Sequence, residues 1–587
     1  MDNSKPLIIA GRDDGFGERM RALLNALYIS KKFGFKFGFV WRDINNIQNL
    51  LDGKVLIPWA NLPTREYLFD QDFIKSYYRQ DIEFAYETPV LWSLYRQSIK
   101  NILKKPYEKE WGWYSTQGDL SEYFTDVDEG EYRTELVSCW KQIDFSSHVK
   151  KIFEKAHSKF LDIGKFVAIH IRTGEVIHDE FYRNILYHCR YKIFPYPFAL
   201  EIALKEIKKG HRVIFFGDDL NLIQNLKEYC SFNKQAQENI FSIDDIIAFE
   251  QLDNGYDRLL FELVLMSKSE YIFGSGTTGF SRCASWIENK IFINIFDHLS
   301  LIEQYEIILK YIDIENIDDL YRSCNYFFLF LLSEQLNLNF DIKLRYLSKS
   351  LRYDSGSLNS EVFYINLLLQ NEKFKEADDR LEQVICKNKK KFFDLLLGYG
   401  QNPTFPYDIY MNYYFKDFDQ YSNIFYVACR IFSEFNIPES RVNTYYPNFH
   451  PIIFDQFKMF IFKDLPKSDQ EIGAVKKIRN HLAYKLGVAA IKNSKSLWGY
   501  IRMPYVLSYI RDMHKESQNK MDKKSISLEY YSDYESALKE KEGFVYKLGQ
   551  IIIKAHKNWH KGGYIMLWFE VKKLKKNLKK ENNGNRI

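Results

Sequence analysis

Four short segments of the chain carry residue types that could hold and stabilise an anion. The first runs Gly11-Arg12-Asp13-Asp14-Gly15-Phe16-Gly17-Glu18-Arg19. Gly15 and Gly17 let a backbone approach a ligand closely, and a helix opening here offers its free N–H groups to negative charge. A plain strand-to-helix turn would use the same residues. The segment is not a Walker loop, because no GK[ST] follows, and Met20 stands where a dinucleotide fingerprint needs Gly or Ala. The second segment is His170-Ile171-Arg172-Thr173-Gly174-Glu175. Arg172 offers a planar fork of donors suited to phosphate, with a strand-end salt bridge as the competing reading. The third is Gly217-Asp218-Asp219, whose carboxylates could accept hydrogen bonds from a base or ribose, or cap the next helix. The fourth is Gly274-Ser275-Gly276-Thr277-Thr278-Gly279-Phe280-Ser281-Arg282, which brings hydroxyls, amides and a helix dipole to one anionic group. A purely structural turn rarely needs so much Gly, Ser and Thr together.

Each segment sits where an element ends. The runs Leu7–Ala10, Phe35–Trp41, Phe166–Ile171, Val213–Phe216, Tyr271–Phe273 and Ile291–Phe296 are short, apolar and bounded by turn residues, as buried strands are. Helical patterns separate them at Glu18–Lys32, Pro197–Lys209, Leu259–Ser267 and Ser281–Trp286. The alternation predicts doubly wound α/β structure, in which ligands bind at the C-terminal ends of the strands. After about residue 321 the strand signal stops. Leu344 to Ile385 reads as antiparallel helices, and NEKFKEADDRLEQVI resembles the second half of a tetratricopeptide hairpin. Near the end, Tyr484-Lys485-Leu486-Gly487 with Ile491-Lys492 and Lys495 recurs as Tyr546-Lys547-Leu548-Gly549 with Ile553-Lys554 and Lys557, an offset of 62. Gly499–Ile501 recurs as Gly563–Ile565, an offset of 64, so one copy carries two extra residues. The charged stretch Lys515 to Glu540 reads as a connection between the copies. Four regions result: an N-terminal α/β domain over 1–150, a Rossmann-like domain over 151–320, an α-helical, partly tetratricopeptide-like region over 321–465, and a basic helical repeat region over 466–587.

Composition narrows the function classes. The chain has 587 residues, 46% apolar and 27% charged, which suits several globular units and excludes disorder for most of it. Its 47 Phe, 42 Tyr and 10 Trp reflect an AT-rich genome more than a carbohydrate-stacking surface. A net charge of +5 is too small an excess to mark a nucleic-acid partner. Cys139, Cys189, Cys230, Cys283, Cys324, Cys386 and Cys429 are scattered and odd in number, which argues against a disulfide framework or zinc site and fits a reducing cytoplasm. The start MDNSKPLIIAGRDD lacks a signal-peptide apolar region, and no window holds 18 apolar residues, so any membrane association must be peripheral.

In order and spacing, HIRTGE, FFGDD and FGSGTTGFSR resemble the fucosyltransferase superfamily of GT-B glycosyltransferases, and GRDDGFGERMRALLNAL resembles that family's opening loop and helix. The resemblance covers about residues 5–300. It implies a pair of Rossmann-type domains and a GDP-sugar donor, with no metal and no other cofactor. It implies that Arg172 binds the donor pyrophosphate and that His170 shapes that strand end. Asp218 or Asp219 would contact guanine or ribose, and Ser275, Thr277, Thr278 and Ser281 would bind phosphate beside Gly15 and Gly17. HIRTGE stands where many relatives have a basic residue and Asp after HxR, which leaves open whether the sugar is fucose. An inverting displacement also needs a base near the acceptor hydroxyl. Asp14 is the first choice, with Asp13, Glu18, Glu175 and Asp179 as rivals.

The C-terminal YKLG blocks resemble the tails of bacterial capsule and surface-polysaccharide sugar transferases. From Val545 onward ten lysines and Arg586 face only Glu570 and Glu581. Met566, Leu567, Trp568, Phe569, Val571, Leu574 and Leu578 interleave with those lysines at helical spacing, so the segment can lie on an anionic membrane surface or pack its apolar face on the protein. The combined expectation is a cytoplasmic, metal-independent, inverting glycosyltransferase of bacterial capsule or surface-polysaccharide synthesis, peripheral to the inner membrane. It would move fucose or a related deoxyhexose or heptose from a GDP-sugar to a glycan acceptor on a lipid carrier. The alternatives are a non-catalytic scaffold of a polysaccharide-assembly complex and a phosphotransferase.

Overall fold

The computed structural model describes residues 5–42, 62–85, 91–232, 234–248, 252, 255–397, 412–415, 420–434, 474–519, 533–558 and 563–584. The chain divides into two units, Met1–Phe454 and Asp455–Ile587. The first two regions read from the sequence, and the third as far as 454, share the first unit.

That unit begins with a parallel sheet of three strands in the order β2-β1-β3, where β1 is Leu7–Ala10, β2 is Lys36–Phe39 and β3 is Gly112–Ser115. The helix Phe16–Phe33 crosses from β1 to β2. It is buried on nearly every side: Met20, Leu23, Leu24 and Leu27 pack in the core, and so do Arg19, Arg21 and Asn25. Burying such groups is tolerable only when they find partners. Arg19 donates to the carbonyls of Asp13 and Asp14 (both 2.8 Å) and Arg42 (2.9 Å), which fixes the loop before the helix. Asn25 donates to the carbonyls of Thr116 and Gly118, both at 2.8 Å.

The second sheet has five parallel strands in the order β6-β5-β4-β7-β8. They are β4 Val167–Ile171, β5 Val213–Gly217, β6 Ile240–Ser242, β7 Tyr271–Gly274 and β8 Ile291–Asn294. Ile169 lies opposite Phe215 on one side and Phe273 on the other. From β4 the chain winds outward through β5 and β6, then returns to build β7 and β8 on the opposite flank. The direction therefore switches between β4 and β7, and the crevice at their C-terminal ends is where doubly wound sheets place ligands. Strands β3 and β6 lie outside the runs read from the sequence: β3, Gly-Trp-Tyr-Ser, begins and ends on turn-type residues, and β6 has only three residues.

The helices Asp319–Gln335, Phe340–Tyr353, Leu358–Gln370 and Phe374–Leu396 follow in the same unit. The longest apolar run, Tyr326 to Leu332, is buried within the first of them. No described helix is long and apolar enough to cross a membrane.

The second unit, taken by itself, comprises the helices Ala474–Asn480, Leu482–Asn493, Leu497–Asn519, Tyr534–Glu542, Phe544–Lys557 and Gly563–Gly584. The repeat is visible in its packing. A Cβ on Gly487 would lie 1.9 Å from the Val545 carbonyl, and a Cβ on Gly549 would lie 1.6 Å from that of Ala483. Positions 483 and 545 are themselves one repeat of 62 apart, as 487 and 549 are. The two YKLG helices therefore cross in a self-complementary way, as the halves of a symmetric dimer do. Within the expected connection between copies, residues 520–532 lie outside the described residues, and Tyr534–Glu542 is helical.

Candidate functional site

A cavity of about 400 Å³ opens at the switch between β4 and β7. Asp14, Gly15, Gly17 and Glu18 form one wall, His170, Arg172 and Asp218 another, and Thr277, Thr278 and Gly279 a third. Two helices begin there, Phe16–Phe33 and Gly279–Ile287, and neither N-cap residue, Gly15 or Thr278, caps its helix with a side chain. Their starts touch: a Cβ on Gly17 would sit 2.4 Å from the carbonyl carbon of Gly279 and from the nitrogen of Phe280. Only glycine at position 17 allows that approach. Two helix dipoles and their first-turn amides thus converge on one volume.

Arg172 follows β4 and is ion-paired with Asp218, which follows β5. The other Asp218 oxygen accepts the amides of Thr173 (3.0 Å) and Gly174 (2.8 Å). Asp219 does not line the cavity. Its carboxylate caps the helix Leu220–Ser231 through the Leu222 amide (3.0 Å), accepts the Tyr321 hydroxyl (2.5 Å) and meets His178 at 3.0 Å. Burial opposes its charge, but the bonds from His178, Tyr321 and Leu222 outweigh burial and hold its pKa below the usual range.

The hydroxyl-rich turn after β7 has a partly different task from that expected. Ser275 donates to the Lys192 carbonyl (2.8 Å) and Thr277 to the Tyr191 carbonyl (2.9 Å), while Thr278 bonds to Ser275. These bonds clamp the segment His188–Lys192 over the cavity, where His188 and Lys192 join the lining. Thr277 and Thr278 face the cavity. Ser281 is fully buried and its hydroxyl has no partner among the described residues. His170 is buried against the Phe280 ring at 5.6 Å, and burial pushes its pKa down to about 4, so it is neutral near pH 7. Its Nδ1 has no partner among the described residues.

The helical region supports this wall from behind. Arg183 donates to Asp354 at 2.8 Å, and the Leu358 amide donates to Asn184 at 2.9 Å. With Tyr321 bonded to the Asp219 carboxylate that meets His178, these contacts hold the segment at 178 and at 183–184.

The candidate bases are distributed unequally. Asp14 lines the cavity but is ion-paired with Arg12. Asp13 meets Arg42 at 3.3 Å, Asp179 accepts the Tyr182 amide at 3.1 Å, and neither lines the cavity. The Glu175 side chain lies outside the described residues. Glu18 lines the cavity 3.2 Å from Arg21; burial raises its pKa, against the pull of Arg21 and with the help of Asp14's charge.

One cavity carboxyl was not anticipated. Glu262 lies on the helix Gly255–Ser267, is 4% exposed, and receives Arg258 Nε at 2.7 Å. Burial, opposed by Arg258, pushes its pKa up to about 7. The only signal in the sequence was a single acid inside the apolar run LLFELVLM.

Residues 449–580 match a family described as a domain of unknown function, DUF8374. No curated protein matches the chain. Among solved structures, the chain is similar to the fucosyltransferase NodZ from Bradyrhizobium, with 12% identity, 51% of this chain and 98% of that chain covered, and a TM-score of 0.29. It is also similar to NodZ α-1,6-fucosyltransferase co-crystallised with GDP (11% identity, 50% and 95% covered, TM-score 0.28) and to POFUT1 in complex with GDP (13%, 50% and 98%, TM-score 0.26).

Proposed function

We propose that this protein is a glycosyltransferase that uses a nucleoside-diphosphate sugar, with the leaving group held in the cavity between β4 and β7. The observation that carries this reading is the convergence of Arg172 and two helix N-termini without side-chain caps on one cavity large enough for a nucleotide-sized ligand. When the bond to the sugar breaks, negative charge builds on the diphosphate oxygens. Donors already aimed at that position stabilise the charge with little reorganisation. Arg172 is pre-aimed by Asp218, and the first-turn amides of the two helices supply the other donors.

The base of the nucleotide is read as guanine. Guanine presents N1–H and N2–H₂ on one edge, and an ionised carboxylate accepts from both. Glu262, in the wall of the cavity and titrating near neutrality, suits that edge. Glu18 is the proposed general base in place of Asp14. A base works best with its pKa near the working pH, and burial raises that of Glu18. The Asp14 carboxylate is engaged by Arg12 in an ion pair. Attack by the acceptor hydroxyl on the face opposite the leaving group gives inversion, with the negative charge of the departing diphosphate balanced by Arg172 and not by a metal. The acceptor is a glycan, and the YKLG repeats favour a role in capsule or surface-polysaccharide synthesis at the cytoplasmic side.

Incubation with GDP-fucose and related GDP-sugars, scored by GDP release with and without oligosaccharide acceptors, tests this directly. Acceptor-dependent GDP release supports the reading. Phosphate transfer, or nucleotide binding with no sugar transfer to any acceptor, replaces it with a phosphotransferase or a scaffold.

A further inference from the structure

The second unit carries an apolar surface that its own folding does not use. Helix Gly563–Gly584 has two apolar faces. Leu567, Val571 and Leu574 pack inward on the crossing of the YKLG helices. Tyr564, Met566, Trp568 and Phe569 do not; each is more than half exposed. Helix Leu497–Asn519 repeats the arrangement at an offset of 64. Met503, Leu507 and Ile510 occupy the inward positions matching Leu567, Val571 and Leu574. Tyr500 and Tyr505 match Tyr564 and Phe569 on the outside, and with Ile501 and Tyr509 they are 60–78% exposed. A solvated face has no need of so many large rings, and none of them is required for the core beneath.

We propose that these two faces form a duplicated docking surface for an anionic lipid bilayer. Three observations select that occupant. The rings are mainly Tyr and Trp, whose apolar bodies and polar tips suit the headgroup boundary, with Phe569 adding apolar area. Exposed Lys572, Lys573, Lys575 and Lys576 follow the rings on Gly563–Gly584, with Lys572 4.9 Å from the Trp568 ring centre, so positive charge and apolar area share one surface. The faces lie on helix exteriors, which suits a plane. A second copy of the chain would bring lysines against lysines. The repeat duplicates the aromatic face, and a bilayer that engages both copies gains from effective concentration. This inference is independent of the cavity's chemistry, and its test needs no donor turnover.

The test is co-sedimentation of the full chain with vesicles of phosphatidylcholine, and with vesicles of equal parts phosphatidylcholine and phosphatidylglycerol. Three variants accompany it: Tyr505→Ser/Tyr509→Ser, Trp568→Ser/Phe569→Ser, and Lys572→Gln/Lys573→Gln/Lys575→Gln/Lys576→Gln. All replaced side chains are exposed, so melting should be unchanged in each. The expected result is binding to the anionic vesicles only, weakened by salt. It should fall more than tenfold in either aromatic variant and about fivefold for each lysine removed. Equal binding to both vesicles, no binding, or full binding in either aromatic variant would overturn the proposal. Binding of a soluble oligosaccharide, or dimerisation, lost in the same variants would assign the surface to that partner instead.

Discussion

Arg172 and Asp218 form an ion pair across the C-terminal ends of the neighbouring strands β4 and β5, and Asp218 also accepts the two amides that follow Arg172. The carboxylate therefore does what a ligand phosphate would do: it pairs with the guanidinium and satisfies the turn. Removing it costs the part-buried Arg172 its carboxylate partner and leaves two buried N–H groups without theirs. Asp218→Ala should lose about 3 kcal/mol of stability in the first unit. Asp218→Asn, which keeps an acceptor oxygen, should lose less than half as much. Denaturant melts of the two variants check the difference.

Gly17 sits against the backbone of Gly279 and Phe280, not against a movable side chain. In a helix free of that contact, Ala would stabilise by about 1 kcal/mol relative to Gly. Here Gly17→Ala should destabilise by about 2 kcal/mol or more and weaken nucleotide binding, because it separates the two helix starts. A variant more stable than the parent would mean that the helices do not meet as described.

Glu18→Gln should lower turnover by about 10²- to 10⁴-fold with little change in nucleotide affinity. Asp14→Asn should cost less than tenfold. Since burial raises the Glu18 pKa, activity should climb as pH rises through that elevated value, and the acid limb should vanish in Glu18→Gln. The opposite ranking of the two variants would return the role to Asp14.

In the proposed guanine contact, Glu262 can accept from both N1–H and N2–H₂ only when ionised. GDP binding should therefore strengthen as pH rises from about 6 to 8 through its pKa of about 7, beyond what phosphate ionisation accounts for. Glu262→Gln should flatten that extra rise and reduce the preference for GDP over ADP by about tenfold or more. The shift also has a stability sign. The folded protein holds this proton above the ordinary value of 4.5, so the stabilisation is complete below about 4.5 and is lost as pH climbs through 7. Calorimetric titration and melts across that range read both effects.

Much of the site could be seen in the sequence because it lies at the ends of elements. HIRTGE, FFGDD and GSGTTGFSR each follow a short apolar run, and the fold brings them to one sheet edge. What the sequence left hidden depends on which way a side chain turns. Asp218 and Asp219 are adjacent, yet one faces the cavity and the other is held away by Tyr321, about a hundred residues further on. Ser275 and Thr277 carry the right hydroxyls for phosphate, but a segment from before β5 takes them up through its carbonyls. Glu262 has no motif at all; only the packing of its helix against the cavity reveals it. In the second unit the repeat was plain in the sequence, while the division of each outer helix into an inward and an outward apolar stripe needed the structure.

The most direct measurement is a thermal-shift panel with GDP, UDP, CDP, CMP and ADP on the wild type and Arg172→Ala. A ligand at 100 times its dissociation constant stabilises by about 2.7 kcal/mol. The expected result is selective stabilisation by GDP that disappears in Arg172→Ala. Stabilisation by none of the nucleotides, or an equal response in the variant, would contradict it.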